Sequence, residues 1–155
     1  MDRKKLTTII LIAFAVVVVF VIGAFTVHLF TNSKTYKCYH YEEAFSYANE
    51  DDAQIVDHIP NYKYLKLELK KDKTFKMKLA VKDGSGVTEI VGTYSDKNDK
   101  ITLNFVGQHV EFQVFDSLEF TRAGRELRCR QTATKTIGDT EVTITITLKF
   151  KKTIF

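Results

Sequence analysis

Between Leu6 and Ser33 the chain has no Asp, Glu, Lys or Arg, and the middle of that stretch, Ile9 to Phe25, is almost wholly Ile, Val, Leu, Ala and Phe. No small water-soluble domain can place so long an apolar run on its surface. As a helix rising about 1.5 Å per residue, residues 6–30 span the roughly 30 Å hydrocarbon core of a bilayer with some length left for tilt. The run therefore predicts a transmembrane helix over residues 6–30 acting as a signal anchor, with the lipid bilayer as its partner. Arg3, Lys4 and Lys5 precede it, and basic flanks stay on the cytoplasmic side. The expected localisation is the cell membrane, single-pass, with residues 1–5 cytoplasmic and the chain from Asn32 onward extracytoplasmic. A cleaved signal peptide is the competing reading, but its apolar region would be only about 7 to 15 residues long. Both readings export the rest of the chain.

Without Asp2, Arg3, Lys4 and Lys5 the chain has 20 basic and 18 acidic residues. That near-neutrality gives no support to a nucleic-acid partner, which calls for a basic stripe with interleaved aromatic residues. The lysines at 63, 66, 70, 71, 73, 76 and 78 mostly alternate with apolar residues. Such alternation marks the solvated face of strands, a face that could also lie against anionic lipid headgroups.

Residues 31–61 read as a linker and a partly helical segment. From Cys38 to Ile59 the apolar residues Tyr41, Ala44, Phe45, Ala48, Ile55, Val56 and Ile59 recur at spacings of three and four around a polar break, and Pro60 ends the pattern. From Tyr62 the period changes to two, the signature of half-buried strands. Leu65, Leu67 and Leu69 mark a first strand, and Phe75, Met77 and Leu79 a second. Further strands are expected over Val87 to Ser95, Ile101 to Phe105, Val110 to Val114, Leu118 to Phe120, Leu127 to about Thr136, and Val142 to Phe150. Gly84, Gly86, Gly107, Gly124 and Gly138 fall between these strands, where positive φ is useful. Gly92 falls inside one, where a bulge or sharp bend is expected.

Connections this short exclude parallel crossovers. The expected fold class is all-β: residues 62–155 form an antiparallel up-and-down meander barrel of about 7–8 strands. It follows an N-terminal transmembrane helix and a short helical segment before the barrel, and closure buries the apolar face and removes the edges.

The stretch from Gly92 to Phe105, with Gly92-Thr93-Tyr94 leading through a polar turn into Lys100-Ile101-Thr102-Leu103, follows a Lys-rich hairpin that ends in Thr74-Phe75-Lys76-Met77. In this it resembles small bacterial lipocalin-like (calycin-type) domains, over roughly Tyr62 to Phe155. The resemblance implies an up-and-down barrel carried behind an export signal or membrane anchor. The chain has no Trp, and so lacks the Gly-x-Trp of the classical ligand carriers.

No residues assemble into catalytic chemistry. There is no Gly-x-Ser-x-Gly, and Cys38 and His40 are only two apart. His28, His40, His58 and His109 share no ligand spacing, and Glu50, Asp51 and Asp52 lack the alternation and glycine of a calcium loop. Neither enzymatic activity nor a cofactor or metal is expected. Cys38 and Cys129, the only cysteines, lie on the expected extracytoplasmic side and are either a disulfide closing a loop of about ninety residues or two buried free thiols. Tyr36, Tyr39, Tyr41, Tyr47, Tyr62 and Tyr64 crowd the region after the apolar run, as packing against the barrel, an interfacial belt or a contact surface. The function these features predict is a membrane-anchored, non-enzymatic binding or interaction module with a cell-envelope protein as partner. The alternative is carriage of a small apolar ligand in the lumen, against which the bulky inward Leu, Ile, Phe and Met side chains argue for a filled core.

Overall fold

Side chains alternating in and out along short, sharply turned segments can bury their apolar half only if the sheet they form curls onto itself. The computed structural model, which describes residues 15–19, 21–23, 33–48, 52–107, 112 and 114–154, shows that closure. Nine antiparallel strands are described: β1 (Lys34–Tyr47), β2 (Gln54–Asp57), β3 (Tyr62–Leu69), β4 (Thr74–Val81), β5 (Val87–Lys97), β6 (Lys100–Phe105), β7 (Ser117–Ala123), β8 (Glu126–Ile137) and β9 (Thr140–Lys152). They are ordered β2-β1-β3-β4-β5-β6-β7-β8-β9, and β1 also pairs with β9. Eight strands thus make a closed up-and-down barrel, with β2 added along the far half of β1.

The chain divides into two compact units, Met1–Ser33 and Lys34–Phe155. In the first, residues 15–19 and 21–23 are helical, and Val16, Val17, Val19, Val21 and Ile22 are exposed. Among the described residues no helix is long and apolar enough to cross a membrane. Most of the expected span 6–30 lies outside them.

Residues 31–61, read from the sequence as linker and partly helical, need correction. The barrel begins at Lys34, not Tyr62, and β1 is its closing strand, joined to β9 by eleven residue pairs from Tyr36↔Lys152 to Tyr47↔Val142. The apolar spacing misleads because the register shifts between Cys38 and His40. Tyr36 and Cys38 point inward at a spacing of two, but the next buried residue is Tyr41, three further on. A bulge thus inserts a helix-like interval into a strand. The short helical segment before the second strand run is a single 3-10 turn, Ile59–Asn61, with Pro60 near its start.

The expected strand from Val110 to Val114 is not a strand at the residues described. Phe112 and Val114 lie outside the sheet, and Val110 falls outside the described residues. β6 already pairs directly with β7, from Lys100↔Thr121 to Asn104↔Ser117, so no ladder remains for a strand between them. Gly92 is not a bulge either, because the registers of β4–β5 and β5–β6 run through it unbroken. A Cβ there would meet the Asn104 carbonyl and come within 2.7 Å of Phe75 Cε1. Only glycine lets these strands approach so closely beneath the edge-to-face Phe75 and Phe105 rings, whose centroids are 6.0 Å apart.

The remaining alternation lies where period two puts it. Leu65, Leu67 and Leu69, Phe75, Met77 and Leu79, and Ile146, Leu148 and Phe150 are all 2 % exposed or less. The tight Asn98-Asp99 turn between β5 and β6 has φ of 50° and 60°, the mirror-image geometry that matches strand twist in two-residue hairpins.

Candidate functional site

The lumen is filled. Leu67, Met77, Leu79, Ile90, Ile101, Leu103, Leu118, Phe120, Leu127, Ile146, Leu148 and Phe150 are each 0 % exposed and belong to one continuous core cluster. At one end, Tyr94 donates its hydroxyl to the Lys70 carbonyl at 2.7 Å, and Arg122 Nη2 pairs with Asp96 Oδ2 at 2.8 Å. Burial raises the Tyr36 hydroxyl above its usual range, and the hydrogen bond to Asp96 raises the Arg122 guanidinium further.

The opposite end is plugged by aromatic rings. Phe112 stacks on Phe105 at 5.7 Å and lies 6.1 Å from Tyr41, which in turn stacks with Tyr62 at 6.1 Å. Phe112 is therefore a lid over the core, and the turn behind it is fixed by the Phe115 N–H donating to the Phe112 carbonyl at 2.9 Å. Against this plug, the Tyr41 hydroxyl donates to Glu43 Oε1 at 3.1 Å and His58 Nε2 lies 3.0 Å from Glu43 Oε2. Tyr41 and His58 rings are 4.5 Å apart. Glu43 and His58 retain 15 % and 23 % side-chain exposure. This polar trio pins the segment after β2 to β1 and leaves its carboxylate engaged rather than facing an open cleft.

A concavity among the described residues lies outside the barrel. A groove of about 980 Å³ runs over β2, β1, β9 and β8. The ladder registers lay its side chains out in rows: Arg128, Lys149 and His40; then Arg130, Thr147 and Glu42; then Thr145 and Ala44, with Thr132 beside Thr145 at its margin. Ile55, 64 % exposed, supplies an apolar wall. Thr132 and Thr145 hydroxyls share a hydrogen bond at 2.9 Å, and Arg128 Nε and Nη2 both donate to Glu126 Oε2. No sequence spacing could reveal this surface, because β1, β2, β7, β8 and β9, far apart in the chain, all contribute to it.

Cys38 and Cys129 are free, buried thiols, the second of the two states the sequence allows. They flank β9, with Cys38 opposite Phe150 and Cys129 opposite Leu148. Two strand spacings put their backbones roughly 10 Å apart, beyond the reach of a disulfide. Burial pushes both thiols up to about 12, and Cys38 Sγ donates to the His40 carbonyl at 3.2 Å.

The structure does not bring the histidines together. His40 is on the outer face of β1, 3.9 Å from Glu42, His58 is at the plugged end, and His28 and His109 are outside the described residues. Asp52 is exposed, while Glu50 and Asp51 are also outside them. The tyrosines are dispersed too: Tyr36 is near one end, Tyr41 and Tyr62 are at the other, and Tyr39 is 46 % exposed. Among the described residues no three His, Cys, Asp or Glu side chains converge as a metal site would require.

No family model and no curated protein matches the chain. Solved structures do resemble it. An uncharacterized protein from Bacteroides eggerthii aligns at 14 % identity and a TM-score of 0.40, over 77 % of this chain and 97 % of its own. A lipocalin-like protein from Bacteroides uniformis aligns at 17 % identity and a TM-score of 0.38, over 72 % of this chain and 96 % of its own. What the chain shows by itself is a closed eight-stranded antiparallel meander. Similarity this distant transfers neither a site nor an activity.

Proposed function

We propose that the protein is a membrane-anchored, extracytoplasmic binding module without enzymatic activity, which recognises a cell-envelope protein through the outer groove over β2, β1, β9 and β8. The observation that carries this reading is the division between a solid interior and a concave exterior. The barrel axis holds Phe75, Met77, Phe120 and Phe150 with at most 1 % exposure, whereas the flank holds a groove of about 980 Å³ with exposed Arg128 and Arg130 and an apolar rim at Ile55. Large side chains next to cations are the composition favoured at protein contacts. The membrane part of the proposal is supported by the charge-free run 6–33 behind Arg3, Lys4 and Lys5. It is also supported by the exposed valines of the helical residues 15–19 and 21–23, an apolar surface suited to lipid.

The test is site-specific photocrosslinking in intact cells. A photoreactive residue replacing Thr145 in the groove should give one discrete crosslinked envelope species, absent when the same residue replaces Glu89 on the opposite wall. Equal crosslinking from both positions, or none from Thr145, would sink the groove reading. Native mass spectrometry of the detergent-released chain addresses lumen carriage, and a retained apolar adduct would favour it.

A further inference from the structure

The exported part of the chain is almost neutral in total, but the barrel separates its charges by end. Antiparallel strands put the start of β1, the end of β9 and the β3–β4, β5–β6 and β7–β8 turns at one end. Residues 34, 70–73, 96–100, 122–126 and 151–152, which make up that end, include ten basic side chains and four acidic ones, a net charge of +6. The described residues at the other end, 52–61, 82–86, 106–107, 112, 114–116 and 136–141, include one basic side chain and six acidic ones, a net charge of −5. The basic side chains are also displayed. Lys34, Lys71, Lys73, Arg125, Lys151 and Lys152 are all exposed, and neighbouring turns are locked together by main-chain hydrogen bonds from Arg122 to Asp99 and from Lys152 to Arg125. The face is therefore a rigid platform rather than a set of independent lysine tails.

We propose that this basic end is a docking face for anionic lipid headgroups. The proposal rests on the reading that residues 6–30 lie in the bilayer. Only residues 31–33 separate that span in sequence from Lys34, the first residue of β1, which lies at the basic end. The charge of the +6 end complements anionic headgroups, whereas that of the −5 end is repelled by them. β9 alone has 13 residues, about 40 Å along the strand. With a screening length near 8 Å at physiological salt, a surface that contacts one end of the barrel is beyond electrostatic reach of the other. Each exposed Lys or Arg held near an anionic surface is attracted independently, so a platform of this charge fixes how the barrel is oriented over the membrane, and with it the direction in which the flank groove faces.

The test uses the full chain reconstituted into vesicles of phosphatidylcholine alone, or of phosphatidylcholine with about one-third phosphatidylglycerol. Lysine acetylation rates are mapped residue by residue. On the anionic vesicles, Lys34, Lys71, Lys73, Lys151 and Lys152 should label about five-fold more slowly than on the neutral ones, and 1 M salt should abolish the difference. Lys82 and Lys135, towards the other end, should label alike on both. Identical labelling of the basic end on the two vesicle types overturns the docking face, as does equal protection of Lys82 and Lys135, which would mean unoriented adsorption. Flotation after an alkaline wash separates the two failures. A chain that floats with neutral vesicles but labels independently of lipid loses only the docking face, whereas a chain that does not float loses the anchor and the docking face together.

Discussion

The two thiols give the sharpest quantitative expectation, because the same burial controls both their chemistry and the pH dependence of stability. Free Cys titrates near 9.0, and burial pushes Cys38 and Cys129 up to about 12. At pH 8 about one-tenth of an ordinary thiol is ionised, against about one ten-thousandth of a thiol with pKa near 12, so thiolate chemistry in the folded barrel is slowed about a thousand-fold. Above pH 9 the unfolded chain has lost its thiol protons while the folded chain keeps them, so the stabilisation is complete below pH 9 and is lost as pH rises toward 12. Between pH 8 and pH 10 each thiol removes about 1.3 kcal/mol, and the pair about 2.5 kcal/mol. The assay is urea unfolding of the full chain in mild detergent at the two pH values, beside the C38A/C129A double variant. The variant starts from a lower stability because two small cavities open in the core, but about 2.5 kcal/mol of the pH-dependent loss should be missing from it. The reasoning fails if the variant keeps the same pH dependence, if a maleimide modifies either thiol of the native chain within minutes at pH 8, or if the unreduced chain weighs two daltons less than the reduced one.

Two further expectations concern the backbone at Gly92 and the strap at His58. Gly92→Ala forces a methyl group against the Asn104 carbonyl and Phe75 Cε1, and should cost about 3 kcal/mol by urea unfolding; a loss below about 1 kcal/mol would mean that β5 and β6 can move apart there. His58→Ala removes the partner 3.0 Å from Glu43 Oε2 and leaves β2 held mainly by its four-residue register with β1. Proteolysis within 52–58 should rise about ten-fold while global stability changes by no more than about 1 kcal/mol, and an unchanged cleavage rate would show that the strap does not depend on this contact.

Strands with intact alternation were readable residue by residue, because period two at half-buried positions leaves little choice of register. Val142, Ile144, Ile146, Leu148 and Phe150 point inward along the whole of β9, with Thr143, Thr145, Thr147 and Lys149 facing out. Reading failed where tertiary context changed the meaning of a local pattern. In β1 the bulge between Cys38 and His40 replaces a step of two with a step of three, so a strand acquires the spacing of a helix. Around Phe112 the alternation of Val110, Phe112 and Val114 looks like a strand, yet β6 and β7 have already satisfied each other's ladders, and Phe112 closes an end of the core instead. Gly92 was recognisable as special, but the reason lay in Asn104 and Phe75 across two different ladders.

The charges show the same limit on a larger scale. The total of 20 basic and 18 acidic residues beyond the first five argues against a polyanionic partner only if the charges are mixed in space. Folding does not mix them. A meander with an even number of barrel strands sends successive turns to alternate ends, so a sequence whose odd and even turns differ in charge builds a charged pole at each end without any local basic run. Lys70, Lys71 and Lys73 in one turn, Arg125 in another and Lys151 and Lys152 at the end of β9 are far apart in the chain and share one face. The chain enters the barrel at Lys34, and so at the basic end. Reversing the order of charged turns while keeping every strand would leave composition, hydropathy pattern and core unchanged, and would put the acidic pole where the chain enters the barrel.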